Sequence, residues 1–419
     1  MPNRPATFVL ASLLALSACG SDPGASGGKQ DITVWLMKDS ATDDFVSRFE
    51  TEFEREHPEL DLDVQIQEWN GITQKVTGAL ASTDPPDVIE VGNTQVAQYA
   101  ASDGVTDLSG KVAELGGEDW IPGLAEPGAV DGRQFGIPFY AANRVVIYRK
   151  DLFEAAGVAP PKTREEWLAT TAKLDEGDTQ GIYLPGQNWY VLSGFVWDEG
   201  GDLARKDGQQ RKGEEWSGAL NTPQALAGAD FYRRLQALGD GPKDSDEAKP
   251  QQTDVVAGGQ VAQFIAVPGA AKLVAKANPE LADQLGFFPI PGKTAATPGA
   301  VFTGGSDLIV PLASPRQDGA YAVVKALAGE KWQVELAKAM DYVPNRTSLA
   351  GAVGDDPGAA AMAAGAVNGR ATPNSPNWAA VEARNPIKEF LTAVLTGADP
   401  ATAAAEADEV ITQALNSGA

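Results

Sequence analysis

Between Ile32 and Val91 the chain switches back and forth between two hydrophobic periods, and few folds accept that rhythm. Ile32 to Leu36 is an apolar run of strand length, and Phe45, Phe49 and Phe53 then recur at helical spacing until Pro58 stops them. Leu62, Val64 and Ile66 alternate with polar residues, the period of a strand, and a helical stretch follows from Ile72 to Leu80. Asp84, Pro85 and Pro86 punctuate that stretch, and Asp87 to Val91 reads as a third strand. Strands joined by helices return in one direction through right-handed crossovers, so the first part of the chain is predicted to be a doubly wound α/β sheet.

A second set of signals follows Pro138. Arg144 to Tyr148 is a β-branched strand, and Asp151 with Glu154 predicts a capping box for a short helix that Gly157 ends. Thr163 with Glu166 predicts a second capping box, opening a helix through Leu174. Lys206 to Glu215 and Asp240 to Thr253 are charged, rich in Gly or Gln and aperiodic, which predicts surface loops. The last third is alanine-rich with helical patterns at Ala320 to Ala328, Lys331 to Met340, Ile387 to Leu395 and Ala403 to Leu415. No internal repeat is present, and 419 residues predict two or three domains.

The N-terminus begins with one basic side chain, Arg4, then an apolar run from Phe8 to Leu16 and small residues, the layout of a secretory signal peptide over 1–18. Leu16, Ser17, Ala18 and Cys19 match the bacterial lipobox, which implies cleavage before Cys19 and lipidation of its thiol. Ser21 to Lys29 is almost all Gly, Ser, Ala and Pro, so 19–30 reads as a lipidated flexible tether. Cys19 is the single cysteine, which leaves no thiol for a disulfide, a metal or a nucleophile. The expected location is therefore the outer face of the cytoplasmic membrane, with the membrane touched through the anchor alone. A net charge of −24 disfavours nucleic acid and anionic lipid as partners and suits a neutral ligand.

The single histidine, His57, precedes Pro58 at a helix end, so Ser-His-Asp, Cys-His and His-based metal chemistry are all excluded, and no cofactor or metal is expected. Gly292-Lys293-Thr294 resembles the end of a phosphate loop, but Phe287 stands where its first glycine belongs and no helix signal follows. Paired carboxylates of a glycoside hydrolase remain compatible with the composition, without a motif to support them. Binding signals are stronger. Of nine Trp residues, Trp69 follows the second strand, and Trp189 and Trp197 fall in the region expected to be loop after Leu184. Their neighbours Gln67, Glu68, Gln187, Asn188 and Asp198 are planar polar groups, the complement to an aromatic face that a sugar ring needs.

Several segments in order resemble the substrate-binding lipoproteins of bacterial sugar ABC transporters, the family that includes maltose-binding protein. They are ITVWLM from Ile32, DVQIQEWNGITQKVTGALAST from Asp63, PPDVIEVGNTQVAQYAASDGVTDL from Pro85, FGIPFYAANRVVIYRKDLFEAAG from Phe135, GGSDLIVP from Gly304 and DYVPNRTSL from Asp341. The resemblance implies an α/β, two-lobed periplasmic-binding-protein type II fold with a ligand cleft between the lobes at a multi-strand hinge. Lobe one would comprise 31–137 plus 303–343 and lobe two 138–302 plus 344–419, with hinge strands near Pro138 and Phe302 to Gly305.

The site the resemblance implies draws on both lobes. Lobe one would offer Lys38, Asp39, Glu68, Trp69, Asn93 and Thr94. The hinge would offer Tyr140, Asn143 and a turn at Gly305, Ser306 and Asp307, and lobe two Trp189, Trp197, Asp198 and Arg346. Where many relatives carry a Trp after the proline of FIAVPGAA, this chain has Gly269 and Ala270, so one stacking platform is missing. The stretches QEWNGITQKV and EVGNTQVAQYAASDG are similar to actinobacterial binders of N,N′-diacetylchitobiose, with maltose-type oligosaccharides the other reading. The implied role is that of a monomeric receptor, not an enzyme, that closes on an oligosaccharide and delivers it to ABC permease subunits served by a separate ATPase.

Overall fold

The computed structural model describes residues 29–38, 40–69, 71–206 and 216–417. The signal peptide, Cys19, most of the tether and Asp39 lie outside the described residues.

The predicted alternation is present. Strand β1 (Gln30–Met37), helix α1 (Asp43–Glu56), β2 (Leu60–Gln67), α2 (Ile72–Leu80) and β3 (Val88–Gly92) follow in order, with β2 and β3 both parallel to β1. Thr42 caps α1 by accepting from the Phe45 amide at 3.2 Å, and Asp43 and Asp44 favour its positive end. Phe45, Phe49 and Phe53 then face inward together, two of them edge-on to Trp332 at 5.4 and 5.0 Å. Each of these fully buried rings contributes roughly 1.5 to 3 kcal/mol. Ile66 was expected to alternate inward, yet it is 48% exposed near the end of β2, the edge strand of the sheet.

Two strands the parallel pattern did not anticipate complete this sheet. β8 (Val301–Ile309) runs antiparallel to both β3 and β4 (Ile137–Asn143), giving the order β9-β4-β8-β3-β1-β2, where β9 is Val343–Pro344, and a short β10 (Gly369–Arg370) pairs with β8. β4 and β8 join this sheet to a second packed body. Immediately after β4, β5 (Val145–Arg149) forms the middle of a three-stranded antiparallel sheet between β6 (Gln263–Ala266) and β7 (Leu285–Phe288). Alternation on β5 sends Val146 to a core containing Trp167, Phe195 and Leu391, and Val145 and Ile147 to a core containing Phe264 and Met362.

Local signals held in one case and failed in another. Thr163 and Glu166 form the reciprocal capping box of helix α3 (Arg164–Leu174). The helix Lys150–Ala155 has Arg149 as its N-cap and no side-chain cap, because Asp151 is held by the Arg149 guanidinium at 2.6 and 2.8 Å. Trp189 and Trp197, expected in a loop, belong to helix α4 (Trp189–Asp198), which Asn188 caps. The four C-terminal helices occur as Gln317–Leu327, Glu330–Met340, Pro386–Leu395 and Pro400–Asn416. Of the second expected loop, Gln252 and Thr253 already open a short helix.

Gly305, Ser306 and Asp307 form no turn; they lie within β8, where the register shifts between Ser306 and Asp307. Gly305 adopts φ +150°, and a β-carbon there would sit 2.1 Å from the Tyr140 carbonyl oxygen. Asp307 is fully buried, and neither carboxyl oxygen has a hydrogen-bond partner among the described residues. Gly128 and Gly136 crowd it so closely that a β-carbon at Gly136 would lie 2.6 Å from its Oδ2. Burial pushes this carboxyl well above the ordinary range.

Two outcomes follow for the β4–β8 crossing. Gly305→Ala should lower stability by about 2 kcal/mol or more, while Gly304→Ala, whose β-carbon would meet its nearest atom at 3.1 Å, should cost less; thermal unfolding of the pair checks the order. Asp307 ionises readily only in the unfolded chain, so the stability it permits is complete at low pH and is lost as pH rises above about 4. Asp307→Asn should therefore stabilise the protein at pH 7 by roughly 1 to 3 kcal/mol, with the gain vanishing below about pH 4 in denaturant titrations.

Candidate functional site

Register brings the expected residues to one line. Met37 of β1 pairs with Gln67 of β2, so Lys38 and the Glu68-Trp69 pair emerge side by side at the carboxyl ends of their strands. On the other flank Ser306 of β8 pairs with both Gly92 of β3 and Tyr140 of β4, which places Asn93, Ser306 and Tyr140 in adjoining rows. Carboxyl ends of parallel strands are where open α/β sheets bind ligands.

Under this row lies a polar knot built on Glu90. Its Oε2 accepts from the Met37 amide at 2.8 Å, and its Oε1 accepts from Ser40 Oγ at 2.7 Å and the Tyr140 hydroxyl at 3.2 Å. Ser306 Oγ donates to the Tyr140 oxygen at 3.2 Å, and Tyr342 stacks on the Tyr140 ring with centroids 4.2 Å apart. Glu90 is fully buried, and burial raises its carboxyl pKa against the donors Met37, Ser40 and Tyr140 that favour its charge. The same burial, together with the charge of Glu90, pushes the Tyr140 hydroxyl well above its usual range.

Above the knot, Lys38 and Glu68 form an exposed ion pair at 3.0 Å, and the Trp69 indole N–H donates to the Lys38 carbonyl at 3.1 Å. That bond fixes an indole that remains 43% exposed, against 4% for Trp189 and 3% for Trp197. A β-carbon at Gly92 would meet the Trp69 ring at 4.0 Å, an ordinary contact, which places the indole over the end of β3. Trp69 thus presents a fixed aromatic face beside carboxylate, ammonium and hydroxyl groups.

Further contacts link the sheet ends to the second body. Asn93 donates to the Thr303 carbonyl at 3.1 Å. Glu382, whose carboxylate accepts from the Trp378 indole at 2.9 Å, lies beside Thr94. Burial raises the pKa of Glu382 despite the indole's hydrogen bond. Trp189 packs between Tyr190 at 4.1 Å and Trp378 at 6.4 Å, and the Arg144 guanidinium lies 4.5 Å from the Tyr190 ring while pairing with Glu247 at 2.7 Å. Asn143 Nδ2 donates to the Met362 carbonyl at 3.1 Å, leaving its Oδ1 without a partner.

Other expected residues lie apart from this group. Asp198 forms an ion pair with Arg164 at 2.9 Å, and that guanidinium is sandwiched near Phe195 and Phe231 in the core. Burial raises the Asp198 carboxyl pKa in spite of the arginine. Arg346 donates to the Leu115 and Ala328 carbonyls and fills the space over Gly116, holding a corner of the first body. Asp307 has no hydrogen-bond partner among the described residues, and Trp197 borders a separate cavity. At Gly269 nothing lies within 4 Å of an added β-carbon, so the position of the missing Trp is open.

Sequence reasoning missed Glu90, Trp378, Glu382, Tyr190 and Arg144. Glu90 left a signal, since a charged residue inside the apolar run VIEVG has to be satisfied by something. Trp378 and Glu382 stand four apart on one helix, a spacing too common to single out. Among the described residues no group of His, Cys, Asp and Glu is placed to hold a metal ion, and no helix is long and apolar enough to cross a membrane.

Residues 38–334 match the family of bacterial extracellular solute-binding proteins. The chain is 39% identical over 407 residues to the diacetylchitobiose binding protein DasA of Streptomyces coelicolor, covering 94% of each. It superposes on the sugar-binding protein MalE of Xanthomonas citri with a TM-score of 0.80 at 22% identity, covering 92% of this chain and 97% of that one. On the acarbose-binding GacH receptor of Streptomyces glaucescens the TM-score is 0.76 at 23% identity, covering 93% and 99%. The fold is the two-lobed type II periplasmic-binding fold that the sequence implied. Its relatives are binding proteins that work outside the cytoplasm, and this chain belongs to the family of bacterial extracellular solute-binding proteins.

Proposed function

We propose that the protein is the substrate-binding receptor of a sugar ABC importer and that its ligand is N,N′-diacetylchitobiose or a related chito-oligosaccharide. The observation that carries the reading is the exposed Trp69 indole, fixed above a row of polar strand ends, with Glu68 and Lys38 beside it. An indole face packs on the C–H face of a pyranose while planar polar groups take its hydroxyls and amides. The likeness to DasA supports the choice of a diacetylated disaccharide over maltose-type ligands. Lys38, Asp39, Glu68, Trp69, Asn93 and Thr94 would bind from lobe one, Tyr140, Asn143 and Ser306 from the hinge, and Trp189 from lobe two.

In this reading the lobes are 31–137 plus 303–343 and 138–302 plus 344–419, and ligand favours the closed form by touching both. Cleavage before Cys19 and lipidation of its thiol would hold a monomeric receptor at the membrane, where permease subunits with a separate ATPase take the sugar. Binding is the whole activity, with no catalytic step.

Calorimetry with chito-, malto-, cello- and xylo-oligosaccharides tests the ligand. Diacetylchitobiose should bind most tightly and remain intact after prolonged incubation. Trp69→Ala should weaken it roughly tenfold or more without lowering the melting temperature, since the indole is largely exposed and its lost coverage of the sugar is worth about 1.5 to 3 kcal/mol. Saturable binding of a malto-oligosaccharide alone would reverse the choice of sugar, and no binding across the panel would remove the receptor reading.

A further inference from the structure

The strand-end row meets the second body at Thr94. Thr94 belongs to the one-turn segment Asn93–Gln95 at the carboxyl end of β3, and the helix Trp378–Arg384 packs against that segment. Trp378 and Val381, each 1% exposed, root this helix in the core of the second body. Glu382, on the same helix, is only partly covered and lies beside Thr94. Trp189, the second-lobe residue of the proposed site, packs near Trp378 with ring centroids 6.4 Å apart and is itself 4% exposed. The polar group that this aromatic pair brings to the row is Glu382.

The helix also sets how that carboxylate is used. The Trp378 indole N–H donates to Glu382 Oε1 at 2.9 Å along one helical face, which orients the carboxylate and satisfies one of its oxygens. A carboxylate accepts through both oxygens, so the second is available to a donor from the row. Arg144, whose guanidinium lies 4.5 Å from the Tyr190 ring, is already bound to Glu247 at 2.7 Å. Glu382 and Glu247 both act on the Tyr190 hydroxyl, so this wall carries more acceptor than donor character. Its complement is an uncharged N–H or O–H group, to which a carboxylate makes a charge-assisted bond.

We propose that Glu382 is the specificity residue of the second body: its carboxylate accepts from an acetamido N–H of the sugar and so favours an acetamido sugar over its hydroxyl counterpart. This deepens the chito-oligosaccharide reading and rests on it. The selectivity follows from an asymmetry between the two donors. An amide N–H points in one direction and cannot turn, so a site that covers it must hold an acceptor at that point or leave it unpaired. A hydroxyl rotates about its C–O bond and finds another acceptor. Removing the acceptor therefore strands the amide and merely turns the hydroxyl.

The test is calorimetry on the mature full chain with diacetylchitobiose and with cellobiose, the same β-linked disaccharide carrying hydroxyls in place of the acetamido groups. Glu382→Gln keeps size and shape. The Trp378 N–H holds the new amide oxygen, so the amide NH₂ then faces the sugar N–H, donor against donor. This variant should keep the melting temperature of the ligand-free protein and weaken diacetylchitobiose about tenfold or more. Glu382→Ala should weaken diacetylchitobiose by a similar factor and cellobiose, followed by competition, by much less. A residue that only packs the helix against Thr94 predicts the opposite, a Gln variant that binds like the native protein. Native-like diacetylchitobiose affinity in Glu382→Gln overturns the proposal, as does an equal loss for both sugars in Glu382→Ala, and the Gln variant decides alone if cellobiose does not compete. If the native protein binds neither disaccharide, the chito-oligosaccharide reading itself falls and takes this assignment with it.

Discussion

A single carboxylate, that of Glu90, is the point on which the strand-end geometry hangs. It sits fully buried in a strand that is otherwise apolar, a position that costs several kcal/mol unless its oxygens are satisfied. They are satisfied by the end of β1, by the residue Ser40 just beyond it and by Tyr140 on the crossing strand, with Ser306 of the second crossing strand bonded to that tyrosine. Strands far apart in sequence are thereby held in one register. Loss of any one donor leaves a buried carboxyl oxygen short of a hydrogen bond, so the arrangement is specific as well as stable.

That register produces the rest. Parallel β1, β2 and β3 deliver Lys38, Trp69 and Asn93 to one edge, and antiparallel β4 and β8 carry the chain away from that edge into the second body. Asn93 to Thr303 and the approach of Thr94 to Glu382 link the sheet ends to the second body. In the proposed receptor the sugar would strengthen those links by bridging them, and the closed state would be favoured by the difference in affinity between the two states. Gly305, whose backbone passes too close to Tyr140 for any side chain, fixes where β8 can cross.

Much of the first sheet was legible because its signals are local. The Phe45, Phe49 and Phe53 spacing and the bounds of α2 needed no tertiary information. Antiparallel β4 and β8 were read as hinge segments only through family resemblance, since no local pattern reports the direction of a partner strand. The placement of Trp189 in a loop failed because Asn188 caps a helix with an apolar first turn, which periodicity alone did not resolve. At the site, Trp69 was readable from its polar neighbours, whereas Asp198 and Arg346 met protein partners, Arg164 and two carbonyls, that lie far away in sequence.

The most direct measurement is a crystal structure of the protein grown with N,N′-diacetylchitobiose. The account predicts one sugar ring stacked on the Trp69 indole over the Tyr140 and Ser306 row, with the other reaching groups of the second lobe. A sugar bound elsewhere, or a strand-end site left empty at saturating ligand, would contradict it.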